Sequence, residues 1–310
     1  MEKIKGVLKA SFIYKIYRFV RWKIIYLLSK QNPQRTTRYL YKVGTGRILD
    51  LENPKAFTEK LQWLKINRYW DNDAVIQCAD KFAVRDYVIE HDCGDILTKL
   101  YGCWDSSEDI DWDNLPNRFV LKCNHGSGYN IICTDKKTFD IKKAKKTLDK
   151  WMKEEYGVVF CEQGIYRKIK RKIIAEEFIE TKDGLPPHDY KFFCSQGKVK
   201  ALFVAQDRVG DNTKFDFYYP DWTYIPIKNY FENHGEEEKP QALNKMIEYA
   251  ERLSKRFPIV RCDLYNEGEK IYFGELTFLH FGGLQGFEPD EFDFTFGEMF
   301  PNIDELRKWK

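Results

Sequence analysis

IVRCDLYNEGEKIYFGELTF, residues 259–278, sets two apolar, β-favouring runs on either side of the polar turn Asn266-Glu267-Gly268-Glu269. The pattern predicts an antiparallel hairpin. Asp263 and Glu275 fall at the same relative depth on its two strands, each among apolar neighbours. Ionised carboxylates buried side by side require a cation or must take up a proton. A hairpin offering two oxygen ligands, with phosphates and waters completing the shell, suits Mg²⁺. Arg261, two residues before Asp263, is the rival partner, and with it the same residues make a simple ion cluster.

Working outward from the hairpin, a helix begins near Pro240 and runs to Arg256. Before it, the KFFC and VKALFVA runs flank Gln196-Gly197, a hairpin turn signal. The β-rich pattern begins at Arg118 with FVLKCN, NIICT and KIIAEEFIE, interrupted by a helix from Ile141 to about Tyr156. Ahead of these strands the chain reads as mainly helical: residues 56–70, with Asn53 and Thr58 as candidate caps, then one helix from Asp73 through His91. The fold class is therefore α+β, in four segments: 1–49, 50–117, 118–180 and 181–310.

The formal net charge of +3 hides an asymmetry, because residues 3–49 hold twelve Lys and Arg and no acid. Residues 4–30 predict an amphipathic helix with Ile13, Tyr17, Val20, Ile24 and Leu28 on one stripe, and Lys15, Arg18, Arg21 and Lys23 elsewhere around the axis. Four mid-helix charges argue against a membrane-spanning segment, and the absence of a small-residue cleavage site argues against a secretory signal. Two readings remain, peripheral contact with an anionic membrane surface or docking on the protein's own domain. A nucleic-acid arm calls for more Gly, Ser and Arg and less Leu and Ile, so no nucleic-acid partner is expected. The eight cysteines lack a C-x-x-C pair and the five histidines lack metal-ligand spacing, which points to reduced thiols, no structural zinc and a cytoplasmic setting.

A second chemical signal is FVLKCNHGSG, residues 119–128, a strand ending at Lys122 and opening into a glycine-containing loop. Gly126 and Gly128 allow close backbone approach to an anion, Ser127 can donate its hydroxyl, and Lys122 supplies a point charge. The same letters also make an ordinary hairpin turn, and the Walker spacing is absent. A third is KIIAEEFIE, residues 172–180, where a nucleotide base fits beside Phe178 with backbone groups reading its edge.

Taken in order, NPKAFTEKLQWLK, ADKFAVRDYV, FVLKCNHGSGYNII, KIIAEEFIE, HDYKFF and the opening hairpin resemble the ATP-grasp superfamily, in its TupA-like branch, over about residues 50–300. That branch is associated with teichuronopeptide and surface-polysaccharide biosynthesis. The resemblance implies an ATP-grasp fold, two α+β subdomains clasping ATP behind a helical N-terminal region. It implies that Lys81 and Lys122 contact the phosphates, that Gly126, Ser127 and Gly128 form a lid, and that Glu176, Glu177, Phe178 and Ile179 hold the adenine. Asp189 lies near the ribose, Asp263 and Glu275 bind Mg²⁺, and Arg261, with Lys122, steadies charge on the transferred phosphoryl group. Thr277 stands where D-alanine ligases carry a metal-ligating asparagine, and its hydroxyl can ligate or hold a bound water.

The activity so implied is a carboxylate–amine ligase acting through an acyl phosphate, on a uronic-acid-containing glycan or an amino acid. The alternatives are a glycosyltransferase, a kinase using the same ATP site, or a non-catalytic scaffold. The D-x-D letters a glycosyltransferase needs occur at Asp71-Asn72-Asp73 and Asp111-Trp112-Asp113, yet neither follows an apolar strand, so they read as caps and turns. His280, Arg208 and the glycine-rich run 282–290 are further acceptor-pocket candidates.

Overall fold

The computed structural model describes residues 12–182, 184, 186–206 and 213–309, with backbone only at 12–15, 17 and 18. The candidate Arg208 and the stretch 4–11 of the predicted basic helix lie outside the described residues. Strands β1 (Leu100–Trp104), β2 (Phe119–Cys123), β3 (Asn130–Cys133) and β4 (Ile173–Glu177) form an antiparallel sheet in the order β1-β4-β2-β3. Strands β5 (His188–Ser195), β6 (Lys198–Gln206), β7 (Lys214–Tyr218), β8 (Tyr224–Ile225), β9 (Val260–Glu267) and β10 (Lys270–Thr277) form the second sheet in the order β10-β9-β5-β6-β7-β8. The predicted α+β class, the Gln196-Gly197 hairpin and the 259–278 hairpin are all present.

Each sheet has its own core. Phe119, Leu121 and Cys123 of β2 alternate inward and meet Ile173 and Ala175 of β4 and Leu148 of the helix Ile141–Lys153 in the smaller one. The larger core packs the helix Leu243–Ser254 on β5, β6 and β9, with Phe192, Leu202, Met246 and Leu253 buried between them. Alternation with period two is what lets one face of each strand carry this apolar load while the other carries chemistry.

The chain ahead of β2 differs from the sequence-based expectation in four ways. Helix α1 (Phe12–Gln31) ends at Asn32, which caps α2 (Pro33–Thr45), so proline at the first position starts a second helix where the first stops. Helix α3 (Phe57–Leu64) is capped by neither Asn53 nor Thr58. The Glu59 carboxylate accepts from the backbone N–H of Lys55 and Ala56, while the Thr58 hydroxyl donates to Asp293 at 2.6 Å. The single helix expected from Asp73 to His91 is two, α4 (Asp73–Ala79) and α5 (Val84–Glu90). Asp80 breaks it by turning its carboxylate onto the N–H groups of Phe82 and Ala83, a local bond that competes with helix continuation.

β1 also arises within the segment read as mainly helical and pairs with β4. The two D-x-D stretches are cap and turn chemistry: Asn72 caps α4, Asp71 pairs with Arg167, and Asp111 accepts from Asn114. The eight cysteines are free, and all but Cys103 are buried.

Candidate active site

A β-bulge makes the site. Phe273 pairs with Leu264, but Glu275 pairs with Asp263, because Gly274 is an extra residue between them. A one-residue slip changes the face on which every later side chain lies. Here it brings Glu275 and Thr277 onto the same face as their partners Asp263 and Arg261. Glycine is required at the bulge, since a Cβ there would come 2.9 Å from the Asp263 carbonyl oxygen. On the other side of β9, Lys191 of β5 pairs with Asp263 and joins the same face.

The resulting cluster is nearly dry. Asp263 is 1% exposed, and the Arg261 guanidinium grips both its oxygens, with Nε and Nη2 each at 2.7 Å. Lys191 Nζ bonds Asp263 and also Asp189 at 2.7 Å. Arg261 Nη2 donates to the Thr277 hydroxyl at 3.0 Å, and that hydroxyl donates to Glu275 Oε1 at 3.2 Å. Arg261 Nη1 donates to His280 Nδ1 at 2.7 Å, so the imidazole is neutral and its Nε2–H faces Asn229 Oδ1 at 2.8 Å. Burial, Arg261 and Lys191 together push the His280 pKa well below its ordinary value.

Lys81, in the turn between α4 and α5, closes the cluster from the side of the first sheet. Its ammonium sits 3.0 Å from Glu275 Oε2 and 2.8 Å from the Gly126 carbonyl oxygen, joining the 126–128 loop to the β10 carboxylate. The broken helix makes this possible, for Asp80 accepts from Asn124 Nδ2 at 2.7 Å while Lys81 N–H donates to the Asn124 carbonyl at 3.1 Å. Burial alone would raise the Glu275 pKa. Lys81, Lys191 and Arg261 reverse this and hold it well below the usual carboxylate range. Three carboxylates, Asp189, Asp263 and Glu275, thus face three cations, Lys81, Lys191 and Arg261.

Lys122 lies on the first sheet, paired at 2.6 Å with Glu176 Oε2, whose other oxygen receives Arg85 at 3.1 Å. The Glu176 side chain is therefore spent on structure, and what it leaves for a ligand is the backbone of 176–179. Glu177 and Phe178 line a cavity of about 1040 Å³ together with Tyr101, Arg118 and, from the second sheet, Tyr272 and Lys270. Ser127 and Gly128 are exposed, and Gly128 takes φ +75°, which a side chain disfavours.

Asp189 is buried and turned to Lys191 within the ion cluster. His280 reaches the site through Arg261. The run 282–290 does not swing freely, since the Gly282 and Gly283 carbonyls accept from Gln62 and the Gly286 carbonyl accepts from Asn229.

Sequence reading missed Lys191, Asp80 and Asn124. Lys191 had a signal, a lysine inside the buried DYKFF strand in phase with Asp189. For Asp80 and Asn124 the signal exists only across 44 residues of chain.

The donor set fits a magnesium nucleotide. Two carboxylates and a hydroxyl are hard oxygen ligands, and Mg²⁺ is ordinarily held by one or two carboxylates plus substrate phosphates. Lys81, Lys191 and Arg261 converge on the same two carboxylates. Among the described residues no group of three or more His, Cys, Asp or Glu is placed to hold a metal unaided.

A family model described as TupA-like ATPgrasp matches residues 59–301. A search of curated proteins finds no match. Among solved structures, a D-alanine–D-alanine ligase from Helicobacter pylori aligns at 12% identity and TM-score 0.44, over 83% of this chain and 67% of that one. A D-alanine–D-alanine ligase from Bacillus anthracis complexed with ATP aligns at 15% identity and TM-score 0.39, over 64% of this chain and 54% of that one. An N5-carboxyaminoimidazole synthase from Aspergillus clavatus, in complex with ADP and 5-aminoimidazole ribonucleotide, aligns at 11% identity and TM-score 0.40, over 66% and 46%. The chain spans about half the length of the last two.

Proposed function

This chain belongs to the TupA-like ATP-grasp family and has its fold, and from that premise we propose that it is an ATP- and Mg²⁺-dependent ligase joining a carboxylate to an amine. The observation that carries the reading is the convergence of Lys81, Lys191 and Arg261 on the Asp263–Glu275 pair, with Lys122 and the 126–128 loop adjoining from the first sheet. In the proposed reaction a substrate carboxylate oxygen attacks the γ-phosphorus of ATP and ADP leaves. The amine nitrogen then attacks the acyl carbon, loses a proton, and expels phosphate. Asp263 and Glu275, with the Thr277 hydroxyl beside them, would hold Mg²⁺ by exchanging contacts they now make with Arg261, Lys191 and Lys81, and the ion would supply charge neutralisation at the phosphates.

This chain's residues do the rest electrostatically. Lys81, Lys122, Lys191 and Arg261 are fixed before the substrate arrives, so no reorganisation is needed as negative charge spreads over the phosphoryl oxygens. Asp263 and His280 orient Arg261, and Asp189 orients Lys191. The 126–128 loop, tethered by Lys81, is placed to exclude water from the acyl phosphate. The adenine lies in the large cavity beside Phe178, read by the backbone of 176–179.

The acceptor is a uronic-acid-containing glycan or an amino acid of surface-polysaccharide assembly. Incubation with MgATP and paired uronates and amines should give ADP and amide in equal amounts. ADP release under no pairing, together with binding of a UDP- or GDP-sugar and none of ATP, would move the reading to a glycosyltransferase. Phosphate on a substrate hydroxyl with no amide would make it a kinase.

We also propose peripheral membrane contact through α1. Its last turn is docked, since Ser29 accepts from Gln163 and Lys30 pairs with Glu155, but Phe19, Trp22, Ile24 and Leu27 are exposed beside Arg21 and Lys23. Among the described residues no helix is long and apolar enough to cross a membrane. Exposed apolar side chains interleaved with cations, Lys23 lying over the Phe19 and Trp22 rings, suit an anionic headgroup layer. The full chain should float with vesicles containing phosphatidylglycerol and not with phosphatidylcholine alone, and Phe19→Ser with Trp22→Ser should abolish flotation. Flotation equal on both lipids would refute the electrostatic part.

A further inference from the structure

A second cavity, of about 500 Å³, adjoins the 126–128 loop through Tyr156. Tyr156 and Tyr166 line it, and a Cβ on Gly126 of the 126–128 loop would come 2.9 Å from the Tyr156 ring. The end of α1 closes another side through Lys30.

The polar groups in this cavity are unequally matched. Arg167 is compensated by Asp71, and Lys30 by Glu155. Arg171 donates to the Met152 carbonyl at 2.7 Å and has no carboxylate within ion-pair distance among the described residues. His125 is 2% exposed; its Nε2 bonds the Trp151 carbonyl at 3.1 Å, so Nδ1 is an acceptor, and Nδ1 has no partner among the described residues. Burial, with Arg171, pushes the His125 pKa down to about 4, so the ring is neutral at pH 7. A buried acceptor without a donor is costly, and a ligand hydroxyl meets that need. Trp70 and the edge-to-face Tyr156–Tyr166 pair present ring surfaces on the remaining sides.

We propose that this cavity is the acceptor subsite and takes a sugar carrying an anionic group, with the anion on Arg171, a hydroxyl on His125 Nδ1, and the sugar ring against Trp70 or the tyrosine pair. The word acceptor rests on the ligase reading; the sugar site does not. The anion on Arg171 serves recognition and is separate from the carboxylate presented to Arg261. It is either the carboxylate of a sugar acid or the phosphate of a sugar carrier. The volume falls within the ~300–1,000 Å³ typical of small-molecule sites, more than a lone amino acid fills. Because Lys30 belongs to α1, the cavity opens beside the helix proposed to lie on the membrane.

The test is calorimetric titration of the full chain, without nucleotide, by D-glucuronate, D-glucose 1-phosphate, D-glucose and L-glutamate. At least one anionic sugar should bind about ten-fold or more tighter than glucose, and the stronger of the two identifies the anion. Arg171→Gln should erase the advantage, Arg171→Lys should keep part of it, and Trp70→Ala should weaken every sugar. MgADP affinity, measured on the same variants, should be unchanged. Equal binding of glucose and both anionic sugars, glutamate as the tightest ligand, or an advantage that survives Arg171→Gln would each overturn the proposal. Failure of MgADP to bind the unmodified chain would instead undo the nucleotide reading, whatever the sugars do.

Discussion

Asp263→Asn is expected to cut MgATP turnover about a hundred- to a thousand-fold and to lower the unfolding free energy by about 3–5 kcal/mol. Both effects follow from one geometry. Asp263 is 1% exposed and is gripped on both oxygens by Arg261 and on one by Lys191. An amide keeps the shape but not the charge, so two buried cations lose a counter-charge they cannot replace from water. The stability loss alone would fit an ion cluster with no function. The double variant Arg261→Met with Asp263→Leu separates the cases. Replacing both members of a buried pair by apolar residues removes the charge and its desolvation cost together, and is often neutral or better for stability. It leaves Lys191 with Asp189 and Glu275 with Lys81. Urea denaturation should show most of the stability restored, while ADP formation stays at the Asp263→Asn level. Turnover that recovers with stability would reduce the cluster to scaffolding.

The hairpin that locates this cluster was legible because it is local. Strand alternation and a polar turn are properties of twenty consecutive residues, and the depth of Asp263 and Glu275 could be counted along them. The bulge at Gly274 was not read, although it is the feature that puts both acids on one face. A glycine inside a strand has several uses, and its meaning depends on register against β9.

Long-range contacts account for the other gaps. β1 is half-buried along its whole length, so it has no inward–outward alternation to detect, and its partner β4 begins about seventy residues later. The helix break at Asp80 looked like helix interior because 73–91 has helical periodicity. What tips the balance is the Asp80 carboxylate bonding Phe82, Ala83 and Asn124 at once. Thr58 resembled a cap by residue type, but Asp293, far along the chain, takes its hydroxyl and its N–H. Lys191 was the one omission with a local trace, since a lysine between Tyr190 and Phe192 in a buried strand has to meet a charge.

The helix break also sets the second large effect. Lys81→Met is expected to lower kcat/KM for ATP about a hundred- to a thousand-fold and to move the acid limb of the pH profile to higher pH. Lys81 is the link between the 126–128 loop and Glu275, so its loss removes a phosphate-directed cation and frees the loop. The direction of the pH effect follows from Glu275. Its folded pKa is depressed below the ordinary carboxyl value, with Lys81 the largest of the cationic causes. A depressed carboxyl contributes stability that is present above its unfolded pKa and lost as pH falls through the folded value. Removing Lys81 raises the folded value toward ordinary. Glu275 then takes up a proton at a higher pH, and both its stabilisation and its readiness for Mg²⁺ fade earlier on acidification. Lys81→Arg keeps a cation beside Glu275 and should leave the acid limb near its original place while still lowering turnover, because the longer fork cannot hold the Gly126 carbonyl in the same way. ADP formation measured from about pH 3 to 8 on the three proteins, a range that spans the ordinary carboxyl value, decides it. An acid limb that does not move in Lys81→Met would mean that Glu275 is not the group whose ionisation the reaction requires.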